Sequence, residues 1–260
     1  MASFDIKNLY TNIPIKETLE IIKTHLIEKK LEKEYTTQLI KIIETIMNQN
    51  YFQFNNKLYE QKEGIPMGSP TSGIMSEIFL QNMENEHFHN ITRKHKIRLL
   101  ARYVDDILVI YDSITSNEND ILNDLNSLHS KIKFTHENEI DNTINYLDLT
   151  ITKNLQKKVI DLGIYHKPTS NTTAIHNKSR HPFQQKLSTF NSLIHRLITL
   201  PITKPNYKKE LRYIEEMAVK NGFNLKTIHK LIRKQKSKQN KITALSKIET
   251  SKPNKWITLT

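Results

Sequence analysis

Apolar positions along the chain follow two periods, near 2 and near 3.6, and the switches between them mark the predicted elements. Phe4-Asp5-Ile6 predicts a short strand. Thr11-Asn12-Ile13-Pro14 predicts a helix start, with a capping side chain and then proline in the first turn, and Leu19, Ile22 and Leu26 follow at helical spacing. Leu39, Ile42, Ile43 and Ile46 predict one face of a second helix. Residues 51–54 and 57–60 around Asn55-Asn56 predict a hairpin. Residues 64–73 read as a loop leading into a helix through Ile78, Phe79 and Met83.

A second hairpin is predicted at 98–111, where an otherwise strongly apolar run is broken by Asp105-Asp106. A helix over 118–130 carries Ile121, Leu122, Leu125 and Leu128, and strands are expected at 132–137, 144–152 and 158–165. From Pro182 onward three helical patterns follow, interrupted at Pro201, Pro205 and Asn221-Gly222. From Lys234 to the end the chain is basic and weakly periodic, which predicts a linker or frayed tail. The order predicts an α+β fold of ferredoxin-like plan, an antiparallel sheet backed by helices, and then a small basic helical unit.

Composition narrows the classes. With 260 residues and 37% apolar content, one large domain or two small ones can be built. The absence of cysteine excludes a disulfide framework, a thiolate metal site and a cysteine nucleophile, and suits an intracellular protein. No apolar run approaches the roughly 20 residues that span a bilayer, and no leader peptide is visible, so no membrane partner is expected. Charge adds more. Residues 1–163 hold 19 Lys and Arg against 23 Asp and Glu, net −4, whereas residues 164–260 hold 20 against four, net +16. A positive excess confined to the last third points to a polyanion such as nucleic acid; a solvated basic tail is the alternative.

Asp105-Asp106 at a hairpin tip is the candidate for chemistry. Two adjacent carboxylates repel, and a hard divalent ion with oxygen ligands relieves the repulsion; an ordinary acidic turn is the alternative. The eleven histidines show no spacing typical of a zinc site. Gly64-Ile65-Pro66-Met67-Gly68-Ser69-Pro70-Thr71-Ser72 joins flexible glycines to rigid prolines, which lets backbone approach a ligand at a set angle. Ser69 or Ser72 could equally cap the following helix. No Gly-Lys-Ser/Thr completes a Walker-type loop.

Taken together, Phe4-Asp5 through Pro14, Glu63-Gly64 through Ser72 and Arg102-Tyr103-Val104-Asp105-Asp106 resemble the motifs of reverse transcriptases. Ile132-Lys133-Phe134-Thr135, Asn145-Tyr146-Leu147-Asp148-Leu149, Tyr165-His166-Lys167-Pro168-Thr169 and His181-Pro182 with Lys186 narrow the resemblance to the Penelope-like retroelement group. It implies a palm over 1–165, a helical nucleic-acid-binding thumb over 166–235 and a basic linker or tail over 236–260. It implies an RNA-directed DNA polymerase of a retrotransposon that takes an RNA or DNA template with primer and deoxynucleoside triphosphates. Two Mg²⁺ ions, with Mn²⁺ as a substitute, would be held by Asp5, Asp105, Asp106 and the Ile6 carbonyl.

The resemblance also assigns roles at the nucleotide. Tyr10 would block a ribose 2′-OH, and Gly64, Pro66, Met67, Gly68, Ser69 and Pro70 would line nucleotide and template. Lys133 would protonate the leaving pyrophosphate. Lys178, Arg180, Lys186, Arg196, Lys230, Arg233 and Lys234 would meet phosphates of the template–primer duplex. Each also has a plainer reading: an ordinary loop acid at Asp5, a half-buried core tyrosine at Tyr10, solvated charges at the lysines and arginines. His181 is expected to cap or orient a helix.

The sequence departs from the family pattern at both ends. Four residues precede Asp5, where reverse transcriptases carry a fingers region, and no GIY-YIG nuclease pattern is seen. The expectation is a palm-plus-thumb piece with little polymerase activity by itself, working in the nucleus. The alternatives are an inactive nucleic-acid-binding remnant and an RNA-dependent RNA polymerase; Tyr10 and Val104 speak against the latter.

Overall fold

The computed structural model describes residues 1–249, with side chains through Lys241. The chain divides into two compact units, Met1–Ile144 and Asn145–Thr260. That division falls ahead of the 165/166 boundary expected from sequence, because the strands after Ile144 pack with the later helices.

The first unit is built on a four-stranded antiparallel sheet of order β4-β5-β1-β6. Its strands are β1 (Ala2–Ile6), β4 (Ile97–Tyr103), β5 (Asp106–Tyr111) and β6 (Phe134–Asn138). Alternation decides which face is buried. On β1, Ala2, Phe4 and Ile6 are almost fully buried, while Ser3 is half-buried and Asp5 exposed. Phe4 pairs with Ile107 and Ala2 with Val109, and both partners are buried too. Against this face lies α4 (Ser72–Lys94), whose Met75, Phe79, Leu80 and Met83 recur at helical spacing. Helices α1 (Leu9–Asn12), α2 (Ile15–Glu28), α3 (Lys33–Met47) and α5 (Glu118–Ser127) complete the backing. The expected α+β plan is therefore the observed one.

Local details differ from expectation. Pro14, not Thr11 or Asn12, stands at the N-cap of α2, and no side chain caps that end; Asn12 instead donates to the Lys7 carbonyl, 3.0 Å. On α3 the packed positions are Thr36, Ile40, Ile43 and Met47, while Ile42 and Ile46 are 56% and 44% exposed. That helix carries two neighbouring apolar stripes, and packing selects one. The hairpin of β2 (Tyr51–Phe54) and β3 (Lys57–Glu60) is present as expected, exposed along its whole length.

The second unit opens with β8 (Leu149–Asn154) and β9 (Val159–Ile164), which form a separate sheet with β7 (Thr143–Tyr146), the strand in which the division falls. The single strand expected over 144–152 is thus two, divided at Leu147, which adopts φ +51°. Four helices follow, α6 (Phe183–Lys186), α7 (Ser188–Thr199), α8 (Lys204–Lys220) and α9 (Leu225–Glu249). Phe190, Ile194, Ile214, Met217, Phe223 and Ile228 form their shared core. Pro205 does not break a helix but sits in the first turn of α8. The Asn206 amide and the Thr203 N–H both donate to the Leu162 carbonyl, fastening β9 to α8. Helix α9 runs through 236–249, which was expected as linker. Residues 250–260 of that expected tail lie outside the described residues.

Phe4 is fully buried between the central strand and the helices. Phe4→Ala should therefore lower the stability of the first unit by about 3–5 kcal/mol, read as an earlier midpoint in urea denaturation.

Candidate active site

The acids meet through strand register. On β1, Asp5 stands directly opposite Asp106 of β5, and on its other side opposite Thr135 of β6. Directly paired residues of antiparallel strands share a face, so Asp5 and Asp106 lie on the face away from the helices. The Ile6 N–H donates to the Asp105 carbonyl, 3.1 Å, carrying the β1–β5 ladder into the turn. The expected hairpin closes with Tyr103 paired to Asp106, leaving Val104 and Asp105 as the two loop residues. Val104 adopts φ +57°, a region that β-branched residues avoid.

Negative charge is concentrated at this point. Partial desolvation at the strand end, reinforced by the negative charges of Asp105 and Glu137, pushes the Asp5 carboxyl above its ordinary value; Lys7 opposes this more weakly. Carboxylate oxygens destabilised by one another are a donor set that fits a hard divalent cation. Among the described residues, however, no three His, Asp or Glu side chains are gathered closely enough to hold a metal. The backbone brings Asp5, Asp105 and Asp106 together, and the carboxylates are not preformed into a nest.

The glycine loop is fastened to the segment that follows β1. The Ile65 N–H donates to the Tyr10 carbonyl, 2.7 Å. Gly64 adopts φ +70°, and a Cβ there would lie 2.3 Å from the Thr11 backbone, so only glycine fits. Past it the loop opens: Met67, Gly68 and Pro70 are exposed, Gly68 adopts φ +91°, and Pro66 and Ser69 are half-buried. Ser72 donates to the Pro66 carbonyl, 2.6 Å, and Ser69 Oγ meets Thr71 Oγ1 at 3.0 Å. Neither serine caps α4; Thr71 holds the N-cap position without a side-chain bond. Tyr10 is half-buried.

Lys133 does not lie on the strand as expected. It precedes β6, and its carbonyl accepts from the Lys7 N–H, 2.8 Å, while its ammonium donates to the Asn126 carbonyl, 3.3 Å.

In the second unit Lys178, Arg180, Lys230, Arg233 and Lys234 are exposed. Lys186 and Arg196 are instead engaged within the unit. Lys186 donates to the Asn177 and Ser179 carbonyls at 2.8 and 3.3 Å, and Arg196 pairs with Asp148 at 3.2 Å. His181 contacts Ser179 and does not bond the helix that follows. Helix α9 carries no acid between Leu225 and Lys241, and Lys226, Lys230, Arg233 and Lys241 line its exposed side.

Sequence reasoning missed Arg102 as an individual residue. It pairs with Ile107, whose side chain is buried toward α4, so its stem runs beneath that helix. There Nη1 and Nη2 each donate to Glu77 at 2.9 Å, Nε bonds Glu84, and Nη1 also reaches the Val104 carbonyl at 3.0 Å. Burial works against the charge, yet the bonds to Glu77 and Glu84 outweigh it and hold the guanidinium above its usual range. The Arg102 bond in turn holds Glu77 below the ordinary carboxylate range. The seven-residue spacing of Glu77 and Glu84 was the available signal, because it places both on one helix face.

The family model described as reverse transcriptase (RNA-dependent DNA polymerase) matches residues 1–139, more than half of the chain and all of the acid turn and glycine loop. The chain belongs to the reverse transcriptase family. The model of an animal helix-turn-helix domain matches residues 173–233, the stretch of α6 to α8 and the first part of α9. Among curated relatives, a telomerase reverse transcriptase of Oxytricha trifallax is 30% identical over 35% of this chain and 9% of its own length. One of Takifugu rubripes is 31% identical over 42% of this chain and 10% of its own. The chain thus spans about a tenth of these relatives. Among solved structures, a Candida albicans telomerase in complex with telomeric RNA aligns over 88% of this chain and 40% of its own, with TM-score 0.53 and 16% identity. A Sicinivirus RNA-dependent RNA polymerase aligns over 90% and 51%, with TM-score 0.50 and 14% identity. At these identities the likeness is one of fold.

A carboxyl whose pKa is raised on folding favours the protonated form, so its ionisation above that pKa destabilises the folded state. Asp5→Asn should therefore raise the melting temperature at pH 7, and the gain should shrink as pH falls through the raised Asp5 value toward the ordinary 3.8. Melting curves of both forms between pH 3 and 7 check this.

Proposed function

We propose that the chain is the RNA-directed DNA polymerase domain of a retrotransposon of the Penelope-like group, extending a primer 3′-OH with deoxynucleotides. The observation that carries the reading is the register that sets Asp5 opposite Asp106 beside the Asp105 turn. Asp5, Asp105, Asp106 and the Ile6 carbonyl would hold two Mg²⁺, or Mn²⁺ in their place. When bound, such ions supply activation of the attacking 3′-oxygen and neutralisation of the leaving pyrophosphate.

The chain's own groups do the rest. Gly68, which has open space at its missing Cβ, lets the loop backbone approach the nucleotide. Pro66, Met67, Ser69 and Pro70 line the same approach, and Gly64 seats the loop against the Thr11 backbone. Tyr10 excludes a ribose 2′-OH by bulk. Lys133 donates a proton to pyrophosphate. Lys178, Arg180, Lys230, Arg233 and Lys234 hold duplex phosphates without reading sequence, which fits a helix-turn-helix match in the basic unit. Lys186 and Arg196 reach phosphate only by exchanging the protein partners they now hold. A nuclear place of work goes with this reading.

Primer extension on poly(rA)/oligo(dT) with Mg²⁺ tests the proposal. Extension is expected once a fingers segment is supplied to the wild-type chain, with little before it, and a loss of at least about 100-fold with Asp105→Asn, the scale on which removing a positioned charge at a reacting centre acts. Retained duplex binding with no extension, even after a fingers segment is supplied, would mark a nucleic-acid binder instead. Tyr10→Ala should raise ribonucleotide incorporation relative to deoxynucleotide; an unchanged ratio removes the gate role from Tyr10.

A further inference from the structure

Arg102 is unusual in being a guanidinium on the buried face of a sheet, its side chain only 8% exposed. It satisfies two carboxylates two turns apart on α4 and keeps one bond for the backbone, to the Val104 carbonyl at 3.0 Å. Val104 is the residue of the acid turn held at φ +57°. A β-branched side chain resists that conformation, so something outside the turn must over-determine it. The carbonyl that Arg102 grips belongs to the peptide linking Val104 to Asp105. Glu77 lies on the helix that begins at Ser72, the last residue of the glycine loop.

We propose that Arg102 is a positioning residue for the acid pair. Its planar fork, anchored on Glu77 and Glu84, holds the strained Val104–Asp105 turn in the form that sets Asp106 against Asp5, and it couples that turn to the helix leading from the glycine loop. A lysine cannot replace it, because a point charge lacks the geometry to bridge two carboxylates and a carbonyl at once. The inference rests on the reading of Asp5, Asp105 and Asp106 as metal-holding acids.

The test is Mn²⁺ affinity, measured by calorimetry on the full chain, with folding checked by circular dichroism. Wild type should bind in a manner that Asp105→Asn abolishes. Arg102→Lys should weaken binding on the order of 10-fold, the scale of an outer-shell substitution. Arg102→Lys combined with Val104→Gly should regain part of the loss, because glycine adopts positive φ without a clamp. A role limited to packing the helix on the sheet predicts no such rescue. If Arg102→Lys does not fold, Glu77→Gln with and without Val104→Gly carries the same comparison. Wild-type affinity in Arg102→Lys, or a loss that Val104→Gly leaves untouched, overturns the positioning role while the acid site stands. Absence of Asp105-dependent binding in the wild type overturns the acid site, and this inference with it.

Discussion

The register of β1 between β5 and β6 is the constraint on which the rest depends. Side chains alternate along a strand, so a slip by one residue would exchange the two faces of β1. Phe4 and Ile6 would leave the core, and Asp5 would enter it, beneath α4. The same register that buries Ala2, Phe4 and Ile6 therefore delivers Asp5 to the open face opposite Asp106. Hydrophobic burial of order 25 cal/mol per Å² across three side chains is more than the repulsion of two half-solvated carboxylates can oppose. The core thus enforces an arrangement that sets like charges side by side. Partial desolvation and Asp105 raise the pKa of Asp5, and that rise is the trace of the conflict.

A conflict of this kind is what a cation-dependent site needs. Acids already satisfied by lysine or arginine would gain little from a metal. The first unit does contain satisfied acids: Glu77 and Glu84 are held by Arg102, and Asp124 by Lys94 and His95. The partition is by position. On α4 and α5 these three carboxylates are paired, whereas at Asp5 the lowering influence of Lys7 is weaker than the desolvation and the Asp105 charge that raise its value.

How much of this was legible depends on whether the signal was local. Asp105-Asp106 stood out because two charges interrupt a run of strand formers, and the hairpin followed from that run. Gly64 was legible as a glycine that a ligand or another segment requires; that the segment is the Thr11 backbone is a tertiary fact. Asp5 had no local mark and was singled out only by the resemblance carried by several motifs together. The division at Leu147 was hidden, since leucine is not a residue that turn chemistry favours. Helix α9 beyond Lys234 was hidden for another reason. A stretch rich in lysine and glutamine shows little apolar periodicity, and its density of positive charge hides the helix propensity of those residues. On α3 two apolar stripes were visible, and nothing in the chain distinguished the packed stripe from the exposed one.

Arg102 shows where legibility ends. An arginine in a strand reads as a solvent-facing charge, and Glu77 and Glu84 read as the wet side of α4. Only the phase of the helix over the sheet turns three apparent surface charges into one network around a buried guanidinium. Once that phase is set, the network has a direction. The helix end that follows the glycine loop, the guanidinium, the Val104 carbonyl and the acid turn form a continuous chain of hydrogen bonds and backbone. Loop and acids, separated by more than thirty residues in sequence, are mechanically neighbours. A displacement of the loop that rotates the start of α4 must move Glu77, and Glu77 cannot move without either releasing Arg102 or carrying the turn with it. The strained φ of Val104 makes the second outcome depend on the first, because the turn keeps its shape only while its carbonyl is held.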